Sequence, residues 1–270
     1  MKKTVLNIAF LMSIGIMSNA QNSINVSQGQ KVQLINKSLN TIKQNAMGQD
    51  IEIKSDVTLD IDVEVKATTP NIHLVHTIKR VQLKSEGMGN SMVFDSDKKE
   101  DRENQIGNLL SSALDKQLDF HISNNGIAIE NKQSDPSFEA AKNVMGDIDE
   151  LNTELLVALP NNIKIGEYWS DEQNKDANNK SKIDYTVKSI ANEEAVLSFN
   201  GSIDKKQNKT IQGMEAKVTA NTTATGELTV NVKTGLIKEK KTEYVSKGTT
   251  EVRGQNIPFT VTRSTISSTK

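Results

Sequence analysis

The fold class this sequence predicts is α+β, mainly antiparallel β: a long curved sheet or open half-barrel with two helices covering one face. Three observations carry that reading. Apolar and polar residues alternate over runs longer than an ordinary strand, two central segments switch to three- and four-residue spacing, and turn residues separate successive runs.

The first twenty residues stand apart from the fold. Lys2 and Lys3 precede the apolar run Val5 to Met17, and Ser18-Asn19-Ala20 places small residues where a signal peptidase reads the chain. The run is shorter than the about 20 residues that cross a bilayer as a helix. The expectation is therefore a signal peptide over 1–20, cleaved between Ala20 and Gln21, and a soluble periplasmic or secreted protein with no integral membrane segment. Residues 21–270 are read as a single β-rich domain with a helical insertion at about 101–159. The chain has no cysteine. It can carry neither a lipid on a thiol nor a disulfide, so its own core must hold it.

The strand signal is strongest from Ile51 to Lys66. Ile51, Ile53, Val57, Leu59, Ile61, Val63 and Val65 take odd positions, while Glu52, Lys54, Asp56, Asp60, Asp62 and Glu64 take even ones. Such a strand would run about 50 Å, so its sheet must twist or curl. Its predicted partner is Asn71 to Leu83, reached through the turn Thr68-Thr69-Pro70-Asn71, with a one-residue phase slip at Lys79-Arg80 that reads as a bulge.

Helical spacing follows. Ile106, Leu109, Leu110, Ala113, Leu114 and Leu118 form one apolar stripe, and Asn124-Asn125-Gly126 then turns a short hairpin. Asp135-Pro136 opens a second helix carrying Phe138, Ala141, Val144, Met145, Ile148, Leu151 and Leu155, which Leu159-Pro160 ends. Strands are predicted again at Ile163 to Trp169, Ile183 to Ile190, Ala195 to Ile203, Met214 to Ala220, Leu228 to Val232, Leu236 to Val245 and Ile257 to Ile266. The polar stretch Asp171 to Lys182 reads as an exposed loop.

Composition narrows the function. With 33 Lys+Arg against 34 Asp+Glu there is no basic field to neutralise phosphates, and no nucleic-acid partner is expected. Three Tyr and one Trp are too few for the aromatic girdles of an outer-membrane barrel. His73 and His76 have an odd separation, which on a strand puts them on opposite faces; His76 is expected as a hydrogen-bonded core residue and His73 as a solvated one. Asp119, His121 and Ser123 share one face of one strand, which does not make a triad, because the histidine must lie between nucleophile and orienter. Asp60, Asp62 and Glu64 read as a solvated face, since an extended strand spreads carboxylates too far apart to wrap a cation. Asp171 to Asn179 lacks the ordered ligand pattern of a calcium loop, and Gly87-Met88-Gly89 reads as a turn. No enzyme, catalytic residue, cofactor or metal site is therefore expected.

Several segments together resemble a known family: Gln28-Gly29-Gln30-Lys31-Val32, Met92-Val93-Phe94-Asp95-Ser96, the hairpin Leu118 to Glu130, Leu159-Pro160 through Gly166-Glu167-Tyr168-Trp169-Ser170, and Gly226 to Lys238. The chain is similar over nearly its whole mature length to exported proteins of Bacteroidota that share a domain of unknown function. Many of those are lipoproteins, a feature this chain lacks with its missing cysteine. The family implies no catalytic residues. More distantly, the architecture resembles periplasmic carriers that hold lipids or lipoprotein acyl chains in an open β half-barrel.

The functional expectation is an exported, non-enzymatic envelope protein that binds or carries a lipid or other apolar ligand; the alternative is a structural or protein-interaction module of the envelope. The apolar lining expected for the first is Ile53, Leu59, Ile61 and Val63 on the sheet, under Leu109, Leu110, Leu114, Val144, Ile148 and Leu151 on the helices.

Overall fold

The long alternating run becomes β2 (Gln49–Ala67), and its neighbours are as long: β1 (Lys31–Ala46) and β3 (Ile72–Gly87) flank it in the computed structural model. The structure describes residues 23–46, 49–129, 145, 151–176, 179–211 and 214–270. The phase slip at Lys79 is a bulge: Asp60 pairs with Arg80 but Ile61 with Ile78, leaving Lys79 over. The chain continues through β4 (Asn90–Asp95), α1 (Lys99–Arg102), α2 (Gln105–Ser111), β5 (Gln117–Ile122) and β6 (Ala128–Ile129). After α3 (Leu151–Leu155) come β7 (Tyr168–Asp176), β8 (Asn179–Ala191), β9 (Glu194–Ile211), β10 (Met214–Asn231), β11 (Ile237–Val252) and β12 (Gln255–Thr269).

All twelve strands join one antiparallel sheet in the order β6-β5-β3-β2-β1-β12-β11-β10-β9-β8-β7, with β4 beside β3. The sheet is open and curved; it does not close into a barrel. Glycines on its inward face allow tight coiling. A Cβ on Gly226 would meet the Lys241 carbonyl oxygen at 2.0 Å, and one on Gly248 the Thr219 carbonyl oxygen at 2.2 Å. The rings of their cross-strand partners, Phe199 and Phe259, cover the space where those side chains would be.

Two apolar clusters fill the inward side. One joins β1 to β5 with α2: Leu34, Ile61, Leu74, Ile78, Phe94 and Leu110 are fully enclosed and Leu59 is buried beside them. The other joins β8 to β11 through Tyr185, Val187, Leu197, Phe199, Leu228, Val230 and Ile237. A strap that follows α3 links them. Leu156 and Ala158 enter the first cluster, Val157 and Leu159 the second, which is the alternation of an extended segment. Here the structure corrects the sequence reading, in which a helix runs to Leu159: it ends at Leu155, because an extended chain reaches both clusters and a helix would reach one. The strap pairs Leu156 with Leu236 and Leu159 with Ser23, and Gly235 is required beside it, since its φ is +74° and a Cβ would meet the Val157 carbonyl oxygen at 2.4 Å. The proposed helix start at Asp135-Pro136 lies outside the described residues.

Other boundaries also move. Asp171 to Lys182 is not a loop, because Asp171 to Asp176 and Asn179 to Lys182 pair as the β7–β8 hairpin at the sheet edge, where Lys182 meets Glu172 at 3.4 Å. The segments read as two strands, Met214 to Ala220 and Leu228 to Val232, are one continuous β10. Ile163 precedes the strand in a turn region, and β7 starts at Tyr168.

His76 is fully buried against Phe120, with ring centroids 4.5 Å apart, and among the described residues neither ring nitrogen has a hydrogen-bond partner. The expected core hydrogen bond is therefore not there. Burial pushes its pKa down to about 3, so the ring is neutral in the fold. The unfolded chain, with a value near 6.5, takes up a proton that the native chain refuses. Stability should thus fall by roughly 1.4 kcal/mol per pH unit below about 6.5. His76→Leu should abolish that acid slope and raise stability at neutral pH by about 1–3 kcal/mol, read from urea melts at pH 5 and 7.

Candidate apolar-ligand face

The cross-strand register assigns every strand residue to one side of the sheet. Leu59, Ile61 and Val63 are buried in the first cluster, together with Leu110 and Leu151, and Leu114 packs against it. These residues, expected as lining, are brought together by the fold. Leu109 is half-buried, and Val144 and Ile148 lie outside the described residues. Ile53 is half-buried and belongs to neither cluster.

Ile53 has company that the sequence reading missed. Ile42 pairs with Ile53 and with Val261, and Gln44 pairs with Ile51 and with Phe259. On the second half, Thr222 pairs with Ile203 and Thr250 with Val218. All of these apolar side chains face inward, are half-buried, and stand outside both clusters. The concave face therefore extends beyond its packed end as further rows, made by the far halves of the longest strands, in which these apolar side chains alternate with Gln44, Lys205, Thr222, Ser246 and Thr250.

A polar network separates the packed end from these rows. Glu154 of α3, itself buried, accepts from Lys240 Nζ at 2.9 Å, from Ser267 Oγ at 2.9 Å and from Tyr244 Oη at 3.3 Å. Lys240 Nζ also donates to the Thr153 carbonyl oxygen at 2.9 Å, and Asn36 Nδ2 donates to Ser267 Oγ at 2.9 Å. Burial alone would pull the Lys240 pKa down, but the Glu154 carboxylate and the nearby tyrosines outweigh it and hold the ammonium above its ordinary value. Beyond the row of Ser38, Thr265 and Thr242 comes that of Asn40, Arg263 and Tyr244, with the Arg263 guanidinium 4.2 Å from the Tyr244 ring centroid.

The outward face is charged and mixed. His73 lies there and is not merely solvated: its Nε2 is 2.7 Å from Asp119 Oδ1, and its ring stacks on His121 at 4.4 Å. Asp119 thus reaches across to the neighbouring strand, not along its own. Among the described residues no cluster of three or more metal-ligating side chains is placed to hold a metal, Asp60, Asp62 and Glu64 included. A groove of about 510 Å³ runs on the outward side of β1, β2 and β3, between Lys31, Asp62, Glu64, Lys79 and Gln117. Its lining mixes charged and apolar groups, and of the expected lining residues only Val63 borders it. Among the described residues no helix is long and apolar enough to cross a membrane.

The sheet is similar to that of lipovitellin, in a structure of its lipid–protein interactions: TM-score 0.55 and 12% identity, over 90% of this chain and 25% of the lipovitellin chain. This chain thus spans about a quarter of that protein's length, and at this identity the likeness is one of fold. The COG4313 outer membrane channel from Pseudomonas putida F1 aligns over 92% of this chain and 98% of its own at 9% identity, with a TM-score of 0.24. No curated protein matches the chain in sequence. A family profile matches residues 69–159 and 152–237, together more than half of the chain, and the chain belongs to that family, the family of unknown function DUF6263.

Proposed function

We propose that this is an exported, non-enzymatic protein of the cell envelope that holds a lipid or another apolar ligand on the concave face of its sheet. The observation that carries the reading is the set of inward, half-buried apolar side chains, Ile42, Ile51, Ile53, Ile203, Val218, Phe259 and Val261, beyond both packed clusters. Water against such rows is displaced at a gain of roughly 25 cal/mol per Å² of apolar surface. A solved fold that it resembles is that of lipovitellin, in a structure of its lipid–protein interactions. The positively charged, apolar and small-residue order of residues 1–20 supports export.

Protein purified without detergent should take up a fluorescent long-chain fatty acid saturably at micromolar concentration. At about a hundredfold excess over Kd the gain is roughly 2.7 kcal/mol, a rise of about 5–10 °C in Tm for a chain of this size. Ile203→Glu, on a half-buried row outside the core, should remove uptake while leaving the circular-dichroism melt cooperative. No uptake, no thermal shift and no lipid mass in a native mass spectrum would reject the carrier and leave the envelope-interaction module.

A further inference from the structure

The groove on the outward face of β1, β2 and β3 has a floor and walls of different chemistry. Val75 lies at its floor: at 6% exposure it is the one buried side chain among the described outward residues of these three strands. The bulge raises one wall. Lys79, the residue that the register leaves over, is ion-paired with Asp115, whose φ of +58° turns the chain toward β5 and whose backbone N–H donates to the Ile78 carbonyl oxygen at 2.9 Å. Lys31 and Gln33 of β1 stand on the opposite side.

One outward row crosses this groove. Gln33 pairs with Asp62, Asp62 with Thr77 and Thr77 with Gln117, so two amides, a carboxylate and a hydroxyl stand side by side on neighbouring strands. At about 4.8 Å per strand the row is about 14 Å long. None of these side chains has a hydrogen-bond or ion-pair partner among the described residues. Further along the same face polar side chains answer one another: Glu52 lies between Lys43 and Lys54, and Asp95 accepts from Arg80 and Gln82.

We infer that this groove is a binding site for a neutral oligosaccharide, laid across the strands with its hydroxyls on Gln33, Asp62, Thr77 and Gln117 and an apolar C–H face on Val75. A primary amide both donates and accepts, a carboxylate accepts from two hydroxyls, and a threonine hydroxyl does either, which is the set that neighbouring sugar hydroxyls require. The row is longer than one sugar ring. The charges at its margin are of both signs and matched: Lys79 with Asp115, Glu64 with Lys66 at 2.8 Å, and Lys31 directly opposite Glu64 in the register. They set up no field of one sign that would hold an ion in place of a neutral ligand. The site lies on the other side of the sheet from the concave face and does not depend on the carrier reading.

The test titrates the purified protein with maltose, cellobiose and lactose, and with glycylglycine as a small zwitterion, and follows amide-resolved NMR spectra. At least one of the sugars should move the side-chain amide signals of Gln33 and Gln117 and the backbone amide of Thr77 saturably. Asp62→Ala should weaken that sugar at least about tenfold, the worth of a hydrogen bond to a charged acceptor. Gln33→Ala combined with Gln117→Ala should abolish its binding. All three positions are exposed, so the variants should melt with the unaltered protein. Shifts with glycylglycine and with none of the sugars would overturn the inference in favour of a zwitterion. Absence of shifts with every probe, or sugar affinity unchanged in the double variant, would overturn it outright. Fatty-acid uptake on the concave face is scored separately, so either reading can fail alone.

Discussion

Glu154→Leu should destabilise the protein by about 3–5 kcal/mol, because it leaves the Lys240 ammonium buried with its charge unanswered. The side chains of the pair are 9% and 5% exposed, so water cannot take over. The loss reaches further than one ion pair. Ser267 Oγ loses its acceptor, Asn36 donates to that same hydroxyl, and Tyr244 Oη faces the same void. Removing both charges with Glu154→Leu and Lys240→Met should recover most of the loss, since a buried pair exchanged for apolar groups of similar volume is close to neutral. Urea melts of the two single variants and the double variant measure the coupling. A double variant as unstable as the sum of the singles would show that the charges do not act as a pair. The pH dependence has a definite sign. The folded Lys240 value lies above the ordinary one near 10.5, so its contribution is complete below about pH 10.5 and is lost as pH rises through the folded value. Lys240→Met should lack that alkaline loss.

Which elements were legible in the sequence follows from what each inward position touches. From Ile51 to Val65 the inward residues of β2 are apolar at every position but Ser55, even where Asn36 and Ser38 of β1 stand opposite, so alternation survived, and the bulge at Lys79 showed as a slip in phase. In β1 the inward residues Asn36 and Ser38 are polar because they border the Glu154 network, and Glu154 lies far along the chain. Their alternation is Val32, Leu34, Asn36, Ser38, Asn40, Ile42, in which strand period and hydrophobicity part company. The same coupling hid Lys240. Between β10 and β11 the register slips, Thr229 pairing with Glu239 but Val230 with Ile237, so in Lys238-Glu239-Lys240 phase alone could not say which charge points inward. The threonine-rich middle of β10 read as a break because its inward residues Thr222, Ala224 and Gly226 are small or polar, yet small residues are what a tightly coiled inner face requires there. Of the candidate site, the packed residues could be read and the half-buried residues mostly could not: Ile203, Val218, Phe259 and Val261 come onto the same face as Ile53 only through the pairing of β1 with β12 and of the strands that follow.

Ile61→Lys should cost more than about 4 kcal/mol, while Asp62→Lys, one residue on, should change stability by about 0.5 kcal/mol or less in either direction. Ile61 has no exposed surface and lies between Leu34 and Ile78, which have none either. The rows on both sides are closed by Leu59 and Val63, so the four-carbon stem of a lysine has no apolar path along which to carry its ammonium to water. The substituted amine would stay buried and shed its proton, with a folded pKa below the unfolded one. The deficit should therefore shrink as pH rises from 7 toward 10, at up to about 1.4 kcal/mol per unit, a slope that a purely steric defect would not show. Asp62 points the other way, exposed on the outward face beside Lys79. Its replacement exchanges one screened surface interaction for another. Equal melting shifts for the two variants, or a deficit at Ile61 that is flat with pH, would show that the buried side of β2 has been assigned to the wrong face of the pleat.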